Sequence, residues 1–249
     1  MKRILLIITV VICCNPIITK AQVSLSDSSI NMHIAGISYS YVIPGRDMAV
    51  RFGNANMLNI SYSYKLKQQF IFEFNAGHLF GNNVHENQIL KHISTKEGYI
   101  INSQGMLNPI AYELKGFLFD ANIKYLIPVY PNLNSGIFFG VGGGFLQHKI
   151  AFSYDYGPLT QIEGDYLKGY DRLTNGGSLS QHIGYYFFNN RNLGNFNLTF
   201  SCVQAFTENR RDFNFDEQRK DDLQRLDLLF LIRLGINIPI FKKAPPEFY

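Results

Sequence analysis

Apolar and polar residues alternate along the chain in eight segments. They cover residues 33–41, 57–66, 70–77, 116–125, 136–145, 179–187, 196–202 and 226–238. In the last of them, Ile232, Leu234 and Ile236 alternate with an arginine, a glycine and an asparagine. Because successive side chains of a strand point to opposite faces, each segment predicts a strand with one apolar and one polar or small face.

The residue types on the two faces predict that the apolar face points outward. The polar set is rich in Gly, Ser and Asn, which fit a narrow lumen, whereas the apolar set carries Phe, Tyr and Leu. Segments of about ten residues also have the length of a tilted strand that crosses a membrane. A soluble barrel would show the same alternation with its apolar face inward, so these observations favour lipid outside.

The connections between the segments alternate in length. Residues 67–69, 129–132 and 189–194 form short turns, and four long stretches separate the other segments. The long stretches are 43–53, 81–112, 151–177 and 207–224. We therefore predict an all-β fold, an eight-stranded antiparallel transmembrane β-barrel with short periplasmic turns and long extracellular loops.

The first 21 residues predict an export signal. Lys2 and Arg3 precede an apolar stretch at 4–11, and small residues at positions 19 and 21 indicate cleavage between Ala21 and Gln22. The apolar stretch is shorter than the roughly 20 residues that a spanning helix needs. We expect a signal peptide at 1–21, a barrel at 22–241 and a periplasmic tail at 242–249, in the outer membrane of a Gram-negative bacterium.

Composition argues against one function, nucleic-acid binding, and against one structural feature, an internal disulfide. The chain carries 23 basic and 19 acidic residues, and cleavage would remove three basic residues and no acidic ones, leaving 20 against 19. A nearly neutral protein lacks the net basic patch of a nucleic-acid partner. Only Cys202 of the three cysteines would remain, so no internal disulfide is expected.

With its export signal and strand pattern, the chain resembles the small outer-membrane barrels of the OmpA/OmpX type over about residues 30–241. The cleavage sequence Thr19-Lys20-Ala21-Gln22 and the many Asn, Lys, Ile and Tyr residues are similar to Bacteroidota members, in the manner of PorT/PorG-like barrels of type IX secretion. The resemblance implies a part in secretion machinery. The chain departs from the pattern after Phe241, where a tail with Pro245 and Pro246 cannot extend a strand.

Strand parity places a set of charged residues inside the predicted barrel. The set consists of Lys65, Glu73, Asp120, Lys124, Asp227 and Arg233. Charges away from water need partners, so we expect a network of ion pairs that fills the lumen. A proton path or a gate is the alternative interpretation.

The best candidate for chemistry is a possible cluster at the outer mouth, formed by His148, Ser180 and His182. A serine, a histidine and a carboxylate could perform acyl transfer, and lipid A deacylases are barrels of this kind. Their His-x-Ser order is reversed here, and no acidic residue follows at a matching place. Two histidines with a loop carboxylate could instead bind a metal, and polar rim residues are the simplest interpretation.

We therefore predict a non-enzymatic outer-membrane protein that acts as a scaffold or accessory component of an envelope assembly, without a cofactor or metal. The expected partners are outer-membrane lipid, lipopolysaccharide and an envelope protein, but no nucleic acid. Arg210, Arg211, Arg219 and Lys220 are candidate contacts to lipopolysaccharide phosphates. The long stretch 81–112 is expected to pack over the mouth or against a partner. A lipid-modifying enzyme and a narrow gated pore are the alternatives.

Overall fold

The computed structural model of the protein describes residues 28–189 and 195–240. The predicted signal peptide, its cleavage site and the tail at 242–249 lie outside the described residues. Most of the predicted turn at 189–194 lies outside them as well.

Eight long antiparallel strands form a closed barrel within the described residues. They are β1 (Met32–Arg46), β2 (Ala55–Lys65), β3 (Phe70–Gly81), β6 (Ala111–Val129), β7 (Asn132–Ser153), β8 (Thr174–Phe187), β9 (Phe196–Asn209) and β10 (Gln224–Ile240). The order around the barrel is β1-β10-β9-β8-β7-β6-β3-β2, so sequence neighbours pair and β1 closes on β10. Both the all-β prediction and the eight-stranded antiparallel barrel are confirmed.

The strands are strongly tilted. Following paired residues around the barrel from Ile43 on β1 leads back to β1 at His33, ten residues away. For eight strands spaced about 4.8 Å apart, this shift corresponds to a tilt of about 40°. A stretch of ten residues then rises about 25 Å along the barrel axis.

The two ends of the barrel differ. At one end, here called the short-turn end, β2–β3 and β6–β7 are joined by residues 66–69 and 130–131. The other end, the long-loop end, carries all of the smaller elements. These are helix α1 (Asp47–Arg51), 3₁₀ turns at Lys91–Ile93 and Thr160–Ile162, the strand pair β4 (Ile100–Ile101) and β5 (Leu107–Asn108), and helix α2 (Gly164–Leu167). No helix among the described residues is both long and apolar enough to cross a membrane.

The bulky side chains point outward. Phe74 is 66% exposed and Ile236 is 70% exposed, whereas the alternating Asn75 and Asn237 are buried. The same holds around the ring, where Phe, Tyr, Leu and Ile cover the outer wall and Ser, Asn and Thr line the lumen. The barrel therefore has the opposite polarity to a soluble one.

The lumen is layered from end to end. Along the inward positions of β6, apolar Leu126 is followed by polar Lys124, Asn122 and Asp120 and then by apolar Leu118. Leu126 belongs to an apolar layer at the short-turn end, with Met32, Ile34, Ile71, Phe138, Tyr186 and Phe188. Leu118 belongs to a second, larger apolar layer toward the long-loop end. The polar lumen is thus enclosed between two apolar layers.

The long loops pack onto the larger apolar layer. Leu90 and Ile100 are fully buried and belong to the same core cluster as Leu79 and Leu114 from the barrel wall. Residues 81–112 therefore pack over the mouth. Their apolar residues supply the core of a cap, which we define as α1 together with the loops 82–110, 154–173 and 210–223.

Candidate functional site

A buried ion pair lies in the polar layer at the edge nearer the short-turn end. Lys124 Nζ on β6 lies 2.6 Å from Glu73 Oε1 on β3. Tyr186 and Ser63 donate hydrogen bonds of 3.1 and 3.2 Å to Glu73 Oε2. Lys124 also lies 4.8 Å above the centre of the Phe138 ring. Glu73 is therefore fully engaged by protein groups, as expected of a packing interaction.

Asp120 and Arg233 occupy the middle of the same layer without a direct ion pair. Asn75 donates a 3.0 Å hydrogen bond to Asp120 Oδ2, and Asn122 donates to the other carboxylate oxygen. Arg233 Nε donates to Ser40 Oγ at 3.4 Å and lies close enough to interact electrostatically with Asp120. No ion pair within 4.0 Å joins Arg233 to an acidic residue of the described chain.

Ser180 and His182 are hydrogen bonded in the polar layer. His182 Nε2 lies 3.0 Å from Ser180 Oγ and 2.9 Å from Asn122 Oδ1, and Nδ1 lies 2.8 Å from Ser201 Oγ. An acyl-transfer histidine needs an orienting group, usually a carboxylate, on the nitrogen away from the serine. Here a serine hydroxyl occupies that place, and the apolar layers cover the pair on both sides. The arrangement is suited to satisfying buried polar groups.

His148 does not join Ser180 and His182, so the expected mouth cluster is wrong. His148 pairs with Thr174, six residues along β8 from Ser180. It lies instead with Asp227, at 2.9 Å between Nε2 and Oδ2, while Thr207 donates to the same carboxylate oxygen at 2.6 Å. Parity had identified the correct face, but β7 and β8 continue well beyond the expected ends, which separates the two histidines.

Lys65 lies apart from the other lumenal charges, at the short-turn end. Its ammonium group donates to Asn134 Oδ1 at 3.0 Å and to Ser29 Oγ at 3.2 Å. The six expected lumenal charges are thus all buried, but they form separate groups at different depths. Among the described residues, no group of three or more His, Cys, Asp or Glu side chains is placed to hold a metal ion.

A second set of buried charged residues connects the loops of the cap with α1. Arg51 of α1 pairs with Glu86 at 3.1 Å and with Asp221 at 3.3 Å. Arg172 pairs with the same Glu86 at 3.4 Å and with Asp216 at 2.6 Å. Glu86 therefore links two arginines from different segments, so all three long loops are connected with α1.

The surroundings of Asp221 in the cap favour the ionised form of its carboxyl group. Burial raises the pKa of Asp221, but hydrogen bonds and charge from Arg225, with a hydrogen bond from Asn209, outweigh it, so the pKa is lowered. The pKa of Arg51 is lowered by burial, with the charge of Glu86 opposing the shift.

The sequence pattern does not reveal Arg51, Glu86 and Arg172 as functional residues, because isolated charges in loops have no periodic signal.

Three of the four basic loop residues that we expected to meet phosphates have acidic partners within the chain, and the fourth, Lys220, is exposed. Arg211 pairs with Asp171, Arg210 with Glu208, and Arg219 with Glu217. The cap also exposes apolar and aromatic side chains. These are Val50, Tyr99, Ile101, Met106, Leu107, Tyr156, Tyr166, Phe213, Phe215 and Leu223. Ile101 and Leu107 face each other across the β4–β5 pair, and each is about half exposed.

No protein-family model matches the chain, and no curated protein sequence matches it. Among solved structures, Ail of Yersinia pestis in complex with the heparin analogue sucrose octasulfate is similar at 13% identity. That match covers 83% of this chain and 99% of Ail, with a TM-score of 0.40. OprG from Pseudomonas aeruginosa matches at 10% identity over 87% of this chain and 99% of its own, with a TM-score of 0.42.

The N-terminal β-barrel domain of Pseudomonas aeruginosa OprF matches at 10% identity, over 82% of this chain and 97% of its own, with a TM-score of 0.35. Likeness at this level implies nothing about what the present chain binds or does. Its fold rests on its own strand register.

Proposed function

We propose that this chain is a non-enzymatic outer-membrane barrel of a Gram-negative bacterium and a scaffold or accessory component of an envelope protein assembly. The observation that carries the proposal is a closed barrel whose lumen lies between two apolar layers and whose cap, cross-linked by buried ion pairs, exposes aromatic side chains. Membership of a secretion assembly is the finer form of the same proposal.

The outer wall supports the membrane location. An apolar wall of this extent would be unstable in water. About ten residues of outward apolar alternation per strand, at a tilt of about 40°, give a band about 25 Å tall, which matches transmembrane barrels. Outer-membrane lipid and lipopolysaccharide would surround this band. The short turns would then lie in the periplasm and the cap outside the cell.

The lumen does not favour the alternative functions. A pore needs a continuous polar path, whereas Phe138 and Tyr186 close one end and Leu118, Leu229 and Leu231 close the other. A lipid-modifying enzyme needs a serine that its substrate can reach, whereas Ser180 is buried between those layers. The outer surface of the cap is the region left for function.

The cap has the features of a protein-binding surface. Protein interfaces are enriched in aromatic residues and methionine and are depleted in charge at their centre. The exposed β4–β5 pair, with Ile101 and Leu107 side by side, offers such a centre. The buried ion pairs of Arg51 and Arg172 connect the loops of the cap, and a preorganised surface has a lower entropic cost of binding.

The test is recovery of the native complex with a matched pair of variants. A tagged chain should be purified from envelopes in mild detergent, together with I101S/L107S and the control Q104S at the tip of the same hairpin. We expect a stoichiometric envelope protein with the parent and with Q104S, and a loss of at least about tenfold with I101S/L107S, as for removal of an interface centre. An isolated protein in all three preparations would contradict the proposal.

A further inference from the structure

The outer wall has a depression on the side formed by β3, β6 and β7. Its floor consists of Ala76, Ala121 and Gly143, which are small outward residues on three neighbouring strands. Phe119 and Phe145 form its edge on the side of the long-loop end. The depression has a volume of about 560 Å³, and its lining is almost entirely apolar. The wall is therefore recessed here in a way that suits an apolar chain.

Two lysines lie above this depression, on the side of the long-loop end. Lys115 on β6 and Lys149 on β7 are register partners on the outward face. Like charges placed directly opposite each other destabilise a sheet. Glu113 pairs with Lys115 at 2.8 Å, but no ion pair within 4.0 Å joins Lys149 to an acidic residue of the described chain. The wall therefore carries an excess of positive charge at this level.

Other outward polar residues near this level do not form the same arrangement. Outward amides occur on β2, β7 and β9, so they do not distinguish one wall from another. Arg210 on β9 is paired with Glu208, and Arg46 lies on β1, across the ring from β7. Within the described barrel, only Lys115 and Lys149 are basic residues that are paired with each other in register.

A ladder of outward pairs on β6 and β7 connects the lysines with the depression. Phe117 pairs with Gln147, and Phe119 pairs with Phe145. The lysines lie six residues from the floor of the depression along β6, which is about 20 Å along the strand and about 15 Å along the barrel axis. This distance is about half of the roughly 30 Å hydrocarbon core, the depth of one leaflet.

We propose that this β6–β7 face binds lipopolysaccharide of the outer leaflet, with a lipid phosphate between Lys115 and Lys149 and an acyl chain in the depression. The inference rests on the membrane location and orientation in the proposed function, which place the lysines at the outer boundary of the hydrocarbon. A phosphate accepts charge-assisted hydrogen bonds from both ammonium groups and offsets their repulsion. Because the apolar wall below accommodates the chain of the same molecule, the face complements both parts of a phosphorylated lipid.

The lipid retained by the purified chain tests the lysines. The full-length chain should be purified from envelopes in mild detergent, and the lipid A released from it should be quantified per chain by mass spectrometry. We expect K115Q/K149Q to retain at least about tenfold less lipid A than the parent, because each basic residue beside an anionic lipid contributes to binding. The control K91Q/K96Q removes the same charge from exposed loop residues and should match the parent.

Filling the depression tests the place of the acyl chain. An added Cβ at Gly143 would meet only Ser178 O, at 3.6 Å, so A121L/G143L should fold, and a heat-modifiable gel shift checks that it does. We expect this variant to retain at least about fivefold less lipid A, because the chain loses apolar contact area. The control A35L adds a leucine to the outward face of β1, across the ring, and should match the parent.

Several outcomes would overturn the proposal. They are lipid A at the parental level in K115Q/K149Q or in A121L/G143L, an equal loss in either variant and its control, and a parent that retains only glycerophospholipid or a protein. A chain that stays in the membrane fraction without bound lipid A would overturn only the lipid site. A chain recovered in solution without detergent would overturn the proposed location and, with it, the lipid site.

Discussion

At the scale of single residues, the Glu73–Lys124 pair shows how the lumen tolerates charge. Both side chains are almost completely buried, and the 2.6 Å contact is reinforced by hydrogen bonds to Glu73 from Tyr186 and Ser63. Removing one member of such a pair leaves an uncompensated buried charge, whereas replacing both members by neutral groups does not.

This difference gives a double-mutant prediction. K124M should destabilise the folded barrel by about 3–5 kcal/mol, because Glu73 is left buried and unpaired. Adding E73Q should recover most of that loss, because the amide oxygen still accepts from Tyr186 and Ser63. Urea unfolding in detergent micelles or lipid vesicles measures the three free energies. Additive effects of the two substitutions would show that the pair is not coupled.

Single positions also show where sequence reasoning succeeds and where it stops. Alternation was sufficient to place Glu73, Lys124 and Arg233 on the inward face. It could not indicate which of them touch, because contact across the lumen depends on the tilt and on the shift of ten residues around the ring. His148 and Ser180 share the predicted inward face, but His148 lies on the extension of β7 and contacts Asp227.

At the scale of elements, the strands are longer than their apolar alternation. β6 continues to Ala111 and β7 to Ser153, beyond the expected ends at 116 and 145. The outward residues of these extensions include Glu113, Lys115 and Lys149. The strands remain hydrogen bonded beyond the level at which their outward residues become polar. The alternating apolar pattern therefore marks only the segment of each strand that would lie in lipid, and not the whole strand.

The cap is the element whose stability should depend on pH. The pKa of Asp221 is lowered in the folded protein, so its stabilising contribution is present above the unfolded value of about 3.9 and is lost as the pH falls further. We expect the cap to remain ordered at pH 5 and to loosen below about pH 4.

A spin label reports this change. K220C in a C202S background places the label on the exposed residue beside Asp221. Its spectrum should become mobile below about pH 4, and D221N should make it mobile already at pH 7, because Arg51 and Arg225 lose their carboxylate partner. A transition near pH 6, or a D221N spectrum identical to that of the parent, would show that Asp221 does not hold the cap.

At the scale of the whole molecule, the arrangement of layers decides what the barrel can transport. An eight-stranded barrel has an interior just wide enough to be filled by side chains. Here the filling is polar in the middle and apolar at both ends, and the cap covers the outer opening. Removing a single lumenal charged side chain would leave a cavity within the polar layer. The apolar layers would still separate that cavity from water at both ends of the barrel.

Arg233 is the residue that a gated pore would use, since it lies at the centre of the polar layer. We expect R233A to leave the planar-bilayer conductance at the level of the parent, because Phe138 and Leu118 still close the two ends. The heat-modifiable gel mobility of the folded barrel checks that R233A has inserted. A conductance increase in R233A alone would show that the apolar layers do not seal the lumen and that the charged layer gates a path.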